Sequence, residues 1–270
     1  MKADLHCHSV FSDGRYDLEE LVKHSKERGI DVLALTDHDT VLGDELIIKY
    51  GELYNVKIIK GIELSCKYNN ETIHIVGLFR NNNVPKEMFD LSNELEEKRR
   101  LRAINMARGI RDIYKINIDL DKLIRDNKII TRKNILDHIL SNNDISLEEA
   151  KFYISKECKA YISSFKYDVK DGIELLHNNN CICILAHPCL IKNKDILNEV
   201  VKLPFDGIEA RYANSKNNYE LFKDIANEYG LFISAGSDFH GDKSHGDIGD
   251  CYLDGKEVDL VLKVLGLYGN

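Results

Sequence analysis

The sequence predicts an α/β fold in which a sheet or barrel of buried strands is assembled from repeated strand, loop and helix units. Three observations carry this. Apolar strand-like runs alternate with helical segments from the start of the chain and again towards its end. Several of these runs are apolar at nearly every position, as strands covered on both faces are. Polar and charged residues gather at their C-terminal ends, where such folds build their sites.

Each element can be justified in order. In "ADLHCHSVFSDG" the alternation over residues 3–8 reads as a strand that sends His6 and His8 to one face and Cys7 to the other. "YDLEELVKHSKERG" spaces Leu18, Leu21 and Val22 along one helical face and stops at Gly29. "IDVLALTDHD" is a nearly continuous apolar run, so a strand buried on both faces. A helix over roughly 43–54 leads into the strands "VKIIKGIELS" and "ETIHIVGLF". The rhythm resumes with "CICILAHP", "FDGIEARY" and "LFISAGSDFHG", each separated by a helical stretch, and the strands are expected to run parallel. "NNNV" at Asn81 and "HNNNC" at Asn178 read as loops. Between them the chain breaks its rhythm and becomes mostly helical, with "EMFDLSNELEEKRRLRAINMARGIRD" its longest element. Its run "KRRLR" is expected to be a solvated face partnered by Glu94 and Glu96 one turn earlier. The organisation expected is a barrel in two parts, residues 1–84 and 165–270, with a helical, substrate-capping insertion at 85–164.

Composition narrows the function classes. A chain of 270 residues with 43% hydrophobic residues can bury a full core. The longest apolar stretch, "CICILA", is far too short to cross a bilayer, and no basic segment with an apolar run behind it stands at the start; a cytoplasmic protein without membrane partners is expected. Seven cysteines without regular spacing indicate reduced thiols, and Cys181 and Cys183 read as small apolar residues of a buried strand. A net charge of −8 excludes the broad positive surface that long duplex nucleic acid requires. It leaves room for a small phosphate-bearing partner, because a few divalent ions reverse the local sign of a pocket.

The chemistry-bearing residues lie at the strand ends. They are His6, His8 and Asp13; Asp37, His38 and Asp39; Glu63; His74; His187; and Asp238 with His240. Six of the ten histidines are among them. One such histidine would be an ordinary hydrogen-bonded core residue, but six beside carboxylates would each cost a few kcal/mol unless satisfied, and divalent ions satisfy them together. Imidazole and carboxylate without thiolate suit Mn, Fe or Zn, with Mn placed first. The set is too large for one ion, and a carboxylate such as Glu63 can bridge two, about 3.5–4 Å apart, in the manner of phosphate-ester hydrolases. Asp37 and Asp39 are expected to orient ligands rather than bind metal. His24, His138 and His177 read as structural, whereas His245, after a Gly-rich loop, is a candidate substrate contact. No Ser/His/Asp order and no Gly-rich nucleotide cradle competes.

In this order, "DLHCHSVFSDG", "LALTDHDT", "GIELS", "IHIVGLF", "LAHP" and "SAGSDFHG" resemble the motifs of the PHP (polymerase and histidinol phosphatase) metallophosphoesterase family along the whole chain. The resemblance implies a distorted (β/α)7 barrel with up to three divalent metals at the strand C-termini. Carried over by position, it implies His6, His8, Glu63 and Asp238 for a first metal. Glu63 would bridge to a second completed by His74 and His187, and Asp13, His38 and His240 would hold a third. Some family members have histidine where Asp13 stands. The insertion and "ITRKNILDHIL" resemble the branch acting on nucleoside 3′,5′-bisphosphates and AMP-like nucleotides and trimming short RNA from the 5′ end. Thr131 and Arg132 match that branch's "TRPH", while Lys133 and Asn134 depart from it; "GIEARYANSK" also departs, lacking the branch's histidine near Tyr212 and Asn214.

The activity expected is therefore hydrolysis of a phosphate monoester of a nucleotide through a metal-activated water. Glu63 and Asp238 would be catalytic at the metals, and Arg132 would clamp a phosphate. Two alternatives stand beside it: a phosphatase for a small metabolite such as histidinol phosphate, and a noncatalytic metal-binding module. The insertion speaks against the first and the complete donor set against the second.

Overall fold

A computed structural model describes residues 1–126, 130, 132–213, 218–242 and 245–269. The chain divides into two compact units, residues 1–92 with 166–270, and residues 93–165.

The first unit is built on one mixed sheet. Its elements are β1 (Lys2–Asp4), α1 (Leu18–Glu27), β2 (Val32–Leu35), α2 (Asp44–Tyr54), β3 (Lys57–Tyr68) and β4 (Glu71–Phe79). The long helix α3 (Lys86–Tyr114) begins in this unit and continues into the second. The second unit then adds α4 (Leu120–Asp126), α5 (Arg132–Asn142) and α6 (Leu147–Tyr153). The first unit resumes with β5 (Tyr167–Asp168), α7 (Val169–Asn178), β6 (Cys181–Leu185), α8 (Lys194–Val200), β7 (Gly207–Tyr212), α9 (Tyr219–Tyr229), β8 (Phe232–Gly236), β9 (Leu253–Asp254) and α10 (Gly255–Val264).

The sheet order is β8-β7-β6-β4-β3-β2-β1-β9, with β5 beside β3. The chain beyond β1 reaches back to the other end of the sheet: Leu5 N donates to Ala235 O, His8 N to Phe239 O, and Asp238 N to His6 O. These bonds close β1, β2, β3, β4, β6, β7 and β8 into the distorted seven-stranded barrel that the sequence predicted.

Two expectations are corrected. The first strand stops at Asp4 rather than His8, because residues 5–8 share their bonds between two neighbours and a side chain instead of one regular ladder. Cys7 N, for instance, donates to Thr36 Oγ1. Nor are all strands parallel: β4 runs antiparallel to both β3 and β6. That direction matters for the site. It brings His74, in the first half of β4, to the same rim as the C-terminal ends of the parallel strands.

Alternation along the strands creates two layers of core. Val32 and Ala34 face inward with Leu5, Ile59, Val76, Ile182 and Ile184, joined by Val258 and Val261 of α10. Leu33 and Leu35 face outward against Leu21 and Val22 of α1 and Ile47 of α2. The unbroken apolar run of β2 thus serves both layers. Helix α1 starts in a capping box, with Asp17 accepting from Glu20 N and Glu20 accepting from Asp17 N. It ends before Gly29, whose φ of 77° favours a residue without a Cβ.

The second unit has its own core of Met106, Ala107, Ile110, Leu123, Ile135, Ile139 and Ala150. It begins at residue 93 rather than 85, since the first turns of α3 belong to the barrel: Met88 is buried, and Ser92 Oγ accepts from Val41 N. In "KRRLR" the partners are Glu94 to Lys98 at 2.6 Å and Glu97 to Arg100 at 3.7 Å. No helix among the described residues is long and apolar enough to cross a membrane.

Replacing Ile59, which is fully buried in the inner layer, with Ala is expected to cost about 2–5 kcal/mol through lost burial and a residual cavity. A urea titration followed by circular dichroism should show the transition at lower denaturant; an unmoved midpoint would contradict the inner-layer assignment.

Candidate metal centre

The rim of the barrel collects its polar side chains from six places in the chain. His6 and His8 follow β1, His38 follows β2, Glu63 and His74 lie within β3 and β4, His187 follows β6, and Asp238 and His240 follow β8. Glu63 is completely buried. Its Oε1 lies 2.9 Å from both His74 Nδ1 and His187 Nε2 and 3.3 Å from His6 Nε2. Its Oε2 lies 2.8 Å from His38 Nδ1 and 3.3 Å from His8 Nε2.

Around this carboxylate the donors fall into adjoining groups. His6, His8, Glu63 and Asp238 present ligand atoms all within 4.8 Å of one another, as do His8, Asp13, His38 and His240. Glu63, His74 and His187 form a third triangle, with His74 Nδ1 and His187 Nε2 3.3 Å apart. Asp13 faces His240 Nε2 at 3.2 Å and His38 Nε2 at 3.8 Å. The structure therefore brings together the nine residues named from the sequence for the metals.

Supporting residues hold this rim. Asp37 accepts from Ser9 N, Ser9 Oγ and Ser12 Oγ, which fixes the turn leading to Asp13. Asp39 accepts from Ser65 N. His187, Asp238 and Asp39 have positive φ of 27°, 54° and 56°, a conformation that costs of order 1–3 kcal/mol each and persists only where the surroundings impose it. Cys7 turns away from the rim into the outer core and donates to Ala34 O.

The electrostatics couple the buried carboxylates to the imidazoles around them. Burial acts against ionisation of Glu63, but the imidazoles of His38, His74 and His6 and the His187 hydrogen bond overcome it and hold the carboxyl well below its usual range. Burial also disfavours protonation of His38, yet Glu63, Asp13 and Asp39 carry it up to about 10. His6 is pushed above its ordinary value in the same way by Glu63, Glu209 and Asp238. Protons on these rings supply the positive charge that the carboxylates demand. Divalent cations fit the same demand, with a donor set of imidazole and carboxylate alone. The fit is also visible at His6 Nε2, which is buried, makes no hydrogen bond among the described residues, and faces Glu63 and Asp238.

Of the other sequence candidates, His245 adjoins this centre, its ligand atom and those of Asp238 and His240 all lying within 4.8 Å of one another. His245 stacks on His240 at 3.9 Å between centroids and pairs with Asp242 at 3.0 Å, at the edge of a cavity also lined by Arg15, Tyr16 and Phe239. Arg132 is the exposed first residue of α5 in the second unit. Thr131 and Asn214 fall outside the described residues. His24 pairs with Asp247, His177 with Asp206, and His138 accepts from Asp119 N.

Three buried residues escaped the sequence reading. Glu209 lies 3.2 Å from His6 Nδ1 and accepts from His187 N at 2.7 Å. Tyr212 donates to Asp238 Oδ2 at 2.9 Å. Asp4 accepts from Ser237 N, and burial pushes its carboxyl up to about 6. The available signal was an acid inside an apolar strand run, as in "FDGIEA". The tripeptide Gly-Ile-Glu at 207–209 does not discriminate by itself, because it recurs at 61–63 in β3 and at 172–174 in helix α7.

A model of the PHP domain matches residues 4–236. The chain belongs to the PHP domain family. One PHP relative, a "5′-3′ exoribonuclease" of Haemophilus influenzae, is 31% identical over 99% of this chain and 98% of its own length. Another, a "3′,5′-nucleoside bisphosphate phosphatase" of Chromobacterium violaceum, is 28% identical over 91% and 90%. A "phosphoribosyl 1,2-cyclic phosphate 1,2-diphosphodiesterase" of Eggerthella lenta is 26% identical over 89% and 95%. Among solved structures, a Bifidobacterium adolescentis protein provisionally named a metal-dependent phosphoesterase superposes with a TM-score of 0.79 at 22% identity, covering 97% and 95% of the two chains. An amidohydrolase from Chromobacterium violaceum superposes equally well, with a TM-score of 0.79 at 23% identity over 98% and 97%. These two establish the likeness of fold. PHP membership and the relatives' phosphatase, phosphodiesterase and exoribonuclease names make the chain a metal-dependent phosphoric ester hydrolase.

The Asp37 bonds yield a test. Asp37→Ala leaves three buried donors of Ser9 and Ser12 without their acceptor, and stability is expected to fall by about 3 kcal/mol. Metal content per folded chain should fall with it as Asp13 loses its fixed turn. Thermal unfolding together with elemental analysis reads both; a variant matching the wild type in each would show that Asp37 does not organise the rim.

Proposed function

We propose that this chain hydrolyses a phosphate monoester of a nucleotide, of the nucleoside 3′,5′-bisphosphate or AMP type, and trims short 5′-phosphorylated RNA in the 5′→3′ direction. The observation that carries the reading is the convergence of five imidazoles on the single buried carboxylate of Glu63. Relatives named for exoribonuclease and bisphosphate phosphatase activity over nearly their whole length support the substrate class. Seven free cysteines accord with a reducing, cytoplasmic compartment.

His6, His8, Glu63 and Asp238 would hold one divalent ion, Glu63, His74 and His187 a second, and Asp13, His38 and His240 a third, with Mn ahead of Fe or Zn. Such ions, when bound, supply Lewis acidity toward phosphoryl oxygens and lower the pKa of water towards neutrality. The chain's own residues do the rest. Glu63 and Asp238 fix the donor groups about one point, and Asp13 completes the outer corner beside His240. His245 would contact substrate, a role supported by its stacking on His240 at the cavity edge. Arg132 offers a planar fork of donors to a phosphate, and its place at the head of α5 leaves that fork exposed.

Protein purified without chelator should contain more than one Mn, Fe or Zn per chain by elemental analysis and lose phosphate release on chelation, with recovery on adding Mn. A chain that stays metal-free after reconstitution would sink the reading. In a panel of 3′,5′-bisphosphates, AMP, histidinol phosphate, a cyclic phosphodiester and short 5′-phosphorylated RNA, the bisphosphate or AMP should turn over fastest; preference for histidinol phosphate would move the assignment to metabolites. Glu63→Gln is expected to abolish turnover with the fold retained. Arg132→Ala should raise KM about tenfold or more at unchanged metal content, and unaltered kinetics across the panel would remove Arg132 from the substrate site.

A further inference from the structure

Resting on the metal-centre reading above, we infer that Glu209 is a positioning residue that sets the tautomer of His6 and couples it to the backbone of His187. The carboxylate is 2% exposed, so both its oxygens are committed to protein. Oε1 lies 3.2 Å from His6 Nδ1 and Oε2 accepts from His187 N at 2.7 Å. Each of these partners is a donor, or must become one, because an ionised carboxylate can only accept. The proton of a neutral His6 is therefore held on Nδ1. Nε2, which faces Glu63 Oε1 at 3.3 Å and Asp238 Oδ1 at 3.5 Å, is left with a bare lone pair directed into the centre.

The second oxygen acts on a different corner. His187 sits at φ 27°, a backbone conformation that needs an outside hold, and Glu209 binds its N–H. One carboxylate thus fixes the ring of one residue and the main chain of another, whose rings stack 5.7 Å apart and both face Oε1 of Glu63. The surroundings are shaped to admit it. A Cβ at Gly236 would stand 2.2 Å from His6 Cβ and 2.5 Å from Glu209 Oε1, so only glycine permits the two side chains to meet there.

The chemistry separates Glu from Gln sharply. A glutamine at this position has one acceptor and one donor end. If its oxygen takes the His187 N–H, its amide N–H faces His6 Nδ1 and drives the proton to Nε2; if it turns over, it sets two donors against each other at His187. Either arrangement spoils one corner while keeping size and shape.

The experiment uses the full chain, reconstituted with Zn and labelled with 15N-histidine, as wild type and as Glu209→Gln, with the His6 signals assigned by their loss in His6→Ala. The wild type should show His6 protonated at Nδ1 and ligated through Nε2. In Glu209→Gln, Zn retention against a competing chelator should weaken by about 10–100-fold, as for loss of an outer hydrogen-bond partner, and the Nδ1–H signal should disappear. A glutamine variant that holds Zn like the wild type with an unchanged His6 spectrum would overturn the inference, because a space-filling role tolerates glutamine. Should that variant not fold, the wild-type spectrum still decides: His6 ligated through Nδ1 overturns the assignment. Wild-type protein that takes up no Zn would defeat the metal-centre reading and this inference with it, whereas Zn-loaded wild type beside an unaltered variant defeats this inference alone.

Discussion

The structure turns on the cost of burying Glu63. An ionised carboxylate with no exposure to water is held only if positive charge and hydrogen-bond donors surround it, and here five imidazoles approach it within 3.3 Å. Those rings come from within β4 or from residues just beyond β1, β2 and β6, so the electrostatic requirement of one residue draws four strands to a common rim. The closure of the barrel serves the same end. The bonds from residues 5–8 to residues 235–239 hold His6 and His8 beside Asp238.

A second layer keeps these ligands from drifting. Asp37 ties down the turn before Asp13, Tyr212 occupies the outer oxygen of Asp238, and Glu209 spans His6 and His187. Strain is tolerated at His187, Asp238 and Asp39 because each is held on more than one side.

The barrel and the helical unit have separate cores. Residues 93–165 have an apolar core of their own, independent of the inner and outer layers of the barrel. The barrel carries the acids and imidazoles, and the helical unit carries Arg132.

By itself the sequence determined most of the elements and the residues that gather at the rim. Period-two alternation placed His6 with His8 and Cys7 away from them, and the double-sided apolar run of β2 announced its burial, because these are local consequences of backbone geometry. The density of histidines and acids at strand ends exposed the centre, since isolated core histidines do not recur at that spacing. Strand direction was legible only in the link before β4, where Asn69 and Asn70 leave two residues, too few for a parallel crossover; the sheet shows why His74 then shares a rim with His187. Glu209, Tyr212 and Asp4 were hidden, as a buried acid or phenol in a strand is given its role by partners far away in sequence. What a side chain is follows from the chain, but which proton it holds, and for whom, follows from the neighbours that folding supplies.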